Sequence, residues 1–377
     1  MIRGATPERV EDAFERGDPL PGTAGFAGRL DAGSVACDGP LLVRDVLGRQ
    51  PVFFSERDPT TWSFDPTDLD DPKPLPAGHV RQLPSRGEAE TESVRAWTLP
   101  DPPTFDDDET ALDAVDDAVL RSVRAVDAAD TAVAFSGGVD SALVAAGIPD
   151  APCYVAGFEG SHDIEAARDA AEAMDRDRDL RVVEFTHDDL VRAVPEIVAA
   201  TGRTNAMDVQ IALPLYLVAE RVAADGYDRL AVGQGADELF GGYAKVANAP
   251  DDHRVDAETV QGATREVIAT LPDQLERDVL ALRAAGVEPV APLLHDDVVA
   301  AALRLPDRLL TDGEERKIAL RRTADRVLPA AVAAADKKAV QYGSLAAREL
   351  DRLARRAGFK RRMDDHVGQY VRSLTNR

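Results

Sequence analysis

Ser136-Gly137-Gly138-Val139-Asp140-Ser141 is the segment of this chain whose residue types are best suited to chemistry. It follows a short apolar strand, Thr131 to Phe135, and runs directly into a helix that is under way by Ala142 to Ala146. Strand, small-residue turn and helix start together form an anion site: glycines let the backbone approach a ligand, N–H groups point inward, and the helix dipole favours negative charge. The serine hydroxyls add donors, and Asp140 among anion donors makes sense mainly if it holds a divalent cation. The plainer reading of the same residues is a tight turn with an Asp/Ser N-cap. One Gly-Gly turn alone does not outweigh it.

The elements needed to position this turn alternate along the chain. Strands are predicted over 131 to 135, Cys153 to Phe158, Leu180 to Phe185 and Arg229 to Val232. Between them come helices over Asp163 to Met174, Asp188 to Ala200 and Asp208 to Ala224. Such alternation argues for an α/β fold with a parallel sheet covered on both faces. Beyond 250 the pattern is mainly helical. Before it, up to Pro100, Gly- and Pro-rich sequence with short apolar runs (Leu41 to Val43, Pro51 to Phe54) reads as short strands and turns. Leu112, Val115, Val119 and Val123 then fall at helical spacing. A domain boundary is expected near 101 to 108, and no internal repeat is evident.

Ser-Gly-Gly-x-Asp-Ser resembles the pyrophosphate loop of ATP pyrophosphatases, which cleave ATP between the α- and β-phosphates. Neither a Walker GxxxxGK[ST] nor a dinucleotide GxGxxG occurs. About a hundred residues later, and again after a predicted strand, Gly233-Gln234-Gly235-Ala236-Asp237-Glu238-Leu239-Phe240-Gly241-Gly242-Tyr243 is similar to the signature loop of the class B asparagine synthetase family. Gly160-Ser161-His162-Asp163 fits between them. Leu42 to Phe54 resembles that family's RDxLGxxPLYY segment, and Leu75-Pro76-Ala77-Gly78-His79 its LPPGH.

The resemblance implies two parts. Residues 106–377 would be a parallel-sheet ATP pyrophosphatase (adenine nucleotide alpha hydrolase-like) domain with a helical C-terminal part. Residues 1–105 would be a small β-rich, degenerate Ntn-hydrolase-like domain. It also implies ATP and Mg²⁺ as cofactors: Ser136, Gly137, Gly138 and Ser141 cradle pyrophosphate, while Asp140 and Asp237 coordinate Mg²⁺. Ala134, Ala156, Val232 and Gly233 match positions lining the adenosine site. Lys338, in Lys337-Lys338-Ala339-Val340-Gln341-Tyr342-Gly343, matches a lysine that stabilises developing charge; by itself a Lys pair is more often a solvated helix end.

Two departures from the family pattern bear on the reaction. Gln234 stands where the family has Glu, and Gln cannot take the proton that an attacking ammonium must lose. Gly286 to His295 resembles the family's GVExRxPFLD, but Val290 replaces Arg and His295 replaces Asp. Glu288 survives as a base or amine binder, although an isolated Glu is more often a surface residue. His162 and His295 read as hydrogen-bonded structural histidines, because no second His or Cys lies at ligand spacing. Position 2 is Ile2 where the family's glutaminase carries its N-terminal Cys, so free glutamine is not expected to be hydrolysed. Cys37 has no N-terminal amine to serve it as base.

The expected activity is an AMP-forming amide ligase that adenylates a carboxylate, by default aspartate, for attack by ammonia or an amine. The alternatives are a related ligase with another carboxylate and amine, including intramolecular amide formation, or a non-catalytic nucleotide-binding regulatory homologue. A separate glutaminase subunit could supply nitrogen, and a homo-oligomer is compatible with the sequence.

Composition narrows the class further. With 44 Lys+Arg against 68 Asp+Glu, the chain carries a formal net charge of -24, which opposes non-specific binding to nucleic acid or anionic membranes. The basic cluster Lys360 to Arg362 is then more often a solvated helix face. Apolar residues make up 44% and recur at helix and strand spacings, so a packed core rather than a disordered acidic chain is expected. No apolar stretch approaches the ~18 residues of a membrane span, and the charged start lacks a signal-peptide run; the chain reads as cytoplasmic. Cys37 and Cys153 lie far apart without a CxxC, giving no support for a disulfide framework or a Cys-ligated zinc site. Only six cations are lysine (73, 245, 317, 337, 338 and 360), and Asp outnumbers Glu 46 to 22. This composition resembles proteins of salt-accumulating archaea. Because the screening length shrinks from ~10 Å at 0.1 M salt to ~3 Å at 1 M, self-repulsion should weaken with salt. The melting temperature is expected to rise between those two salt levels, and a flat profile would count against the idea.

Overall fold

The structure is a computed structural model that describes residues 1–31, 39–84, 92–249, 252–335 and 340–375. The chain divides into two compact units. The first comprises Met1–Ser122, Gln234–Glu276 and Ala291–Thr323; the second comprises Val123–Gly233, Arg277–Val290 and Ala324–Arg377. Residues 101–108, where the composition changes, lie inside the first unit.

The first unit contains two small antiparallel sheets. One has the order β1-β2-β3-β7-β8, formed by β1 (Ile2–Arg3), β2 (Ala27–Leu30), β3 (Leu41–Arg44), β7 (His79–Gln82) and β8 (Ser93–Arg95). The other places β4 (Phe53–Ser55) between β5 (Trp62–Ser63) and β6 (Pro72–Pro74). Side-chain alternation explains why the run Leu41 to Val43 is apolar throughout. Leu41 and Val43 join Val10, Phe26, Leu30 and Trp97 in one core, whereas Leu42 joins Ala27, Val52, Phe54, Phe64, Leu75 and Leu83 in another. Both faces of β3 are therefore dry.

A stretch read as strands and turns also holds a helix, α1 (Pro7–Arg16). Its signals are local: Thr6 Oγ1 accepts from the Arg9 N–H at 3.4 Å, Pro7 opens the first turn, and Gly17 closes the helix in the left-handed region at φ 66°. Only Val10 and Ala13 are buried, so its apolar period is too short to register in the sequence pattern.

Arg49 ties this unit together. Its guanidinium lies 2.8 Å from Asp45 and 2.7 Å from Asp296, with all three side chains at 3% exposure or less. It also donates to the Leu294 carbonyl at 2.7 Å, while the Thr23 N–H donates to Asp296 at 2.7 Å. Next to it, buried Arg44 donates to the Leu75 and Gly48 carbonyls and pairs with Glu276 at 3.2 Å.

The second unit is built on a wholly parallel sheet of order β11-β10-β9-β12-β13. Its strands are β9 (Thr131–Ala134), β10 (Cys153–Gly157), β11 (Leu180–Glu184), β12 (Arg229–Ala231) and β13 (Glu288–Val290). The connecting helices are α3 (Val139–Gly147), α4 (His162–Ala173), α5 (His187–Thr201) and α6 (Ala206–Ala224); α2 (Asp108–Arg124) precedes the sheet. Four strands and these helices stand within a few residues of their sequence positions. The fifth strand does not follow from periodicity, since Pro289 reads as a breaker; Pro is tolerated here because β13 is an edge. The C-terminal part is helical, including Ala346–Arg356 and His366–Thr375. Among the described residues, no helix is long and apolar enough to cross a membrane. Cys153 is a buried core thiol on β10, its pKa pushed up to about 11 by burial; Cys37 lies outside the described residues.

The chain starts the sheet at its centre with β9, moves outward to β10 and β11, and returns to β12 on the other side. The carboxyl ends of β9 and β12 thus flank the switch point where open α/β sheets bind ligands.

Removing the Arg49 charge while keeping bulk, as in Arg49→Met, leaves two buried carboxylates without their shared cation. Chemical denaturation is expected to show a loss of about 3–5 kcal/mol; a change within a few tenths of a kcal/mol would show that the pairs add nothing.

Candidate functional site

The Ser136 to Ser141 turn leaves the central strand β9 and enters α3, as its residue types require. Gly138 is the N-cap, with no side chain capping the helix, so the first-turn donors of α3 are not covered by a side chain of the cap. Asp140 is the second helical residue and 9% exposed. Gly137 is glycine for a reason besides ligand approach. It sits at φ 77°, and a Cβ there would lie 2.3 Å from the Ala166 carbonyl oxygen on α4. The Ser141 hydroxyl braces the turn, accepting from the Ser136 N–H at 3.2 Å and donating to the Gly138 carbonyl at 3.0 Å. At the other end of α3, buried Arg176 donates to the Ala145 carbonyl at 2.5 Å and to the Ala151 carbonyl, which fixes the helix from its C-terminus.

The apolar wall assembles beside this turn. Ala134 ends β9, Ala156 lies near the end of β10, and Val232 follows β12, so these residues occupy the carboxyl ends of three adjacent strands. Val232 donates its N–H to the Val290 carbonyl at 2.9 Å, which joins β13 to the same edge. Gly233 closes on α3: a Cβ there would lie 3.0 Å from the Asp140 Cβ and 3.1 Å from the Ser141 nitrogen. Any larger residue would push the first turn of α3 away from the strand ends.

The second loop, from Gln234 onward, belongs to the first unit. Gln234 is half-buried and leads into Gly235, at φ 93°, where a Cβ would meet the Leu294 side chain at 2.4 Å. Gly235 is the N-cap of the short helix α7 (Ala236–Leu239), which carries Asp237 and Glu238. Asp237 pairs with the Lys317 ammonium at 2.7 Å; its carboxylate is 45% exposed while the lysine is 10% exposed. Gly242 packs against both, since a Cβ there would lie 2.0 Å from Asp237 Oδ1 and 2.5 Å from Lys317 Cε. Arg316 donates to the Gly242 carbonyl at 2.8 Å. Glu238 is buried, accepts from the Tyr243 hydroxyl at 2.5 Å, and has its pKa raised to about 7. Burial is the main cause and neighbouring Asp237 adds to it, against the opposing effects of Tyr243 and Lys317.

Lys317, Arg316 and Glu238 escaped the sequence reading. Lys317 carried a usable signal, being one of only six lysines, but nothing local linked it to a loop eighty residues earlier.

The remaining site candidates stand as follows. Glu288 lies on β13 and is gripped by Arg283, which donates to it at 2.9 and 2.6 Å. His295 is the N-cap of the helix Asp296–Ala302, its Nδ1 accepting from the Asp297 N–H at 3.2 Å. His162 opens α4, with Nδ1 3.9 Å from Asp163. Lys337 and Lys338 lie outside the described residues. Among the described residues, no group of three or more His, Cys, Asp or Glu is gathered at metal-binding distance. Mg²⁺ commonly takes only one or two carboxylates and completes its shell with phosphate oxygens and water, so Asp140 beside an uncapped helix start is a suitable donor for it.

The family model for asparagine synthase matches residues 111–266 and 248–372, more than half of the chain. The chain belongs to the asparagine synthase family. Two curated relatives show how far the likeness extends. A putative glutamine-hydrolysing asparagine synthetase of Methanocaldococcus jannaschii is 28% identical over 300 residues, covering 70% of this chain and 54% of that protein. The glutamine-hydrolysing asparagine synthetase B of Escherichia coli is 26% identical over 231 residues, covering 56% and 41%. The chain thus spans about half the length, or less, of these relatives. Both the Ser136 to Ser141 turn and the Gly233 to Tyr243 loop fall inside the asparagine synthase match, whereas β1 to β8 precede it.

The raised Glu238 carboxyl has a consequence for stability. Its folded-state pKa of about 7 exceeds its ordinary value of 4.5. Its contribution is therefore fully present below about 4.5 and is lost as pH rises through about 7. In divalent-free buffer, Glu238→Gln is expected to flatten the fall in denaturation free energy across that window. An unchanged slope would place the titrating group elsewhere.

Proposed function

We propose that this chain is an ATP-dependent, AMP-forming amide ligase of the asparagine synthetase type, acting on aspartate with ammonia as nitrogen source. The observation that carries this reading is the N-terminus of α3, capped only by Gly138, at the carboxyl end of the central strand and beside the small-residue wall of Ala134, Ala156, Val232 and Gly233. A helix start with inward N–H groups suits a phosphate chain, and a flat apolar wall suits a base and sugar.

Within this reading the α3 N-terminus and Ser136 hold the β- and γ-phosphates, and Ser141 keeps the turn in shape. Asp140 would hold Mg²⁺, which when bound neutralises phosphate charge. Within the first unit, the Lys317 ammonium is fixed beside Asp237. Lys338 stabilises charge that develops as the carboxylate oxygen attacks the α-phosphorus and pyrophosphate leaves. Gln234 can orient an amine acceptor by hydrogen bonding but cannot take its proton. Glu288, held by Arg283, is the remaining carboxylate assigned to that step. These roles fall to residues 106–377, and the β-rich residues 1–105 are assigned a structural part.

The test is to screen carboxylates and amines with ATP and identify the nucleotide product. AMP and pyrophosphate are expected in equal amounts, with Asp140→Ala abolishing their release while leaving the melting temperature near wild type. ADP and phosphate as stoichiometric products, or full activity in Asp140→Ala, would overturn the assignment.

A further inference from the structure

We propose that Arg176 is a positioning residue for the phosphate end of α3; this rests on the ligase reading above. Its buried guanidinium neutralises the carbonyl pole of that helix, so that a short helix presents a net positive start to pyrophosphate. α3 has nine residues, and its only charged side chain is Asp140 in the first turn. The last turn holds no basic residue, so nothing on the helix itself offsets the partial negative charge of its final carbonyls. At about 1.5 Å per residue, that negative pole stands only about 13 Å from the turn. Val139 to Ala145 are all buried, and the two poles therefore act on each other's ligands through protein rather than water.

The missing cation comes from another element. Arg176 follows α4, is 8% exposed, and donates to the Ala145 carbonyl at 2.5 Å, to the Ile148 carbonyl at 3.5 Å and to the Ala151 carbonyl. Among the described residues, no carboxylate pairs with it. Burying an ion is costly unless opposite charge answers it, and the carbonyl pole of α3 is what answers this one. An uncharged amide could donate hydrogen bonds there, but only a cation cancels the pole. The guanidinium is aimed from α4: the Arg176 N–H donates to the Ala171 carbonyl at 2.8 Å, and Asp175 before it takes left-handed backbone at φ 54°. The same helix lies against the turn at the other end of α3, where the Ala166 carbonyl leaves no room for a side chain at Gly137. One element thus sets both the turn and the charge behind it.

Two unit charges about 13 Å apart, at an effective dielectric constant of about 20, shift an equilibrium about tenfold. Arg176→Gln is therefore expected to weaken pyrophosphate binding about tenfold and to leave adenosine binding unchanged, since adenosine carries no charge for the pole to act on. Calorimetric titration of the full-length protein with each compound separately, Mg²⁺ present, reads this without turnover. Arg176→Lys keeps the charge and should bind pyrophosphate close to wild-type affinity. Arg178→Gln, which removes an exposed charge two residues on, should alter neither affinity. Ala146→Glu loads the half-buried last turn of α3 with negative charge while Arg176 stays in place. It should weaken pyrophosphate in the same way, and it serves if Arg176→Gln does not fold. Unchanged pyrophosphate affinity in Arg176→Gln or Ala146→Glu, a matching loss for adenosine, or equal weakening in Arg178→Gln would overturn this role alone. Failure of the wild-type protein to bind pyrophosphate would overturn the ligase reading and this role with it.

Discussion

The first unit depends on one arginine held between two carboxylates from distant parts of the chain. Asp45 and Asp296 are 251 positions apart, yet each lies within 2.8 Å of the Arg49 guanidinium. Buried charges of this kind are costly unless every donor and acceptor is answered, and here the surrounding backbone answers them: Asp45 accepts from the N–H groups of Leu47 and Arg49, and Asp296 from Thr23. The segment Arg44 to Arg49 therefore has a physical role of its own. It joins the β-rich region to the helix Asp296–Ala302 within the first unit.

The same economy explains why arginine supplies 38 of the 44 Lys and Arg side chains. A guanidinium can meet several acceptors at fixed angles, whereas an ammonium is a strongly hydrated point charge. Arg176 answers carbonyls at the end of α3, and Arg277 bridges Asp208 and Asp278 at 2.9 and 2.7 Å. Lys317 is the informative exception. It is nearly buried, takes a left-handed backbone at φ 60°, and presents its ammonium to a partly exposed carboxylate, an arrangement suited to meeting a charged ligand.

The glycines of the two loops illustrate how packing and binding share a residue. Gly137 must be glycine because α4 lies against it, Gly235 because Leu294 does, and Gly242 because Asp237 and Lys317 do. Their recurrence in a signature loop is therefore partly a record of close packing behind the loop. The uncapped start of α3, with Gly138 at the N-cap, is the feature that remains for a ligand.

The sequence by itself determined the parallel α/β core, because apolar runs of four to six residues alternating with longer amphipathic stretches have few other solutions. It also located the Ser136 to Ser141 turn and the second loop, since their small and acidic residues are contiguous. It missed α1, whose caps are clear but whose apolar face is only two residues deep, and β13, where Pro289 hides a strand that is stable only at an edge. What the tertiary structure decided were the partners. Nothing near Glu288 in the sequence pattern says that Arg283 grips it, nothing near Asp237 names Lys317, and nothing near Ala145 names Arg176. Periodicity reports which way a side chain faces along its own element, whereas a charge finds its counter-charge across elements, and only the folded backbone brings those together.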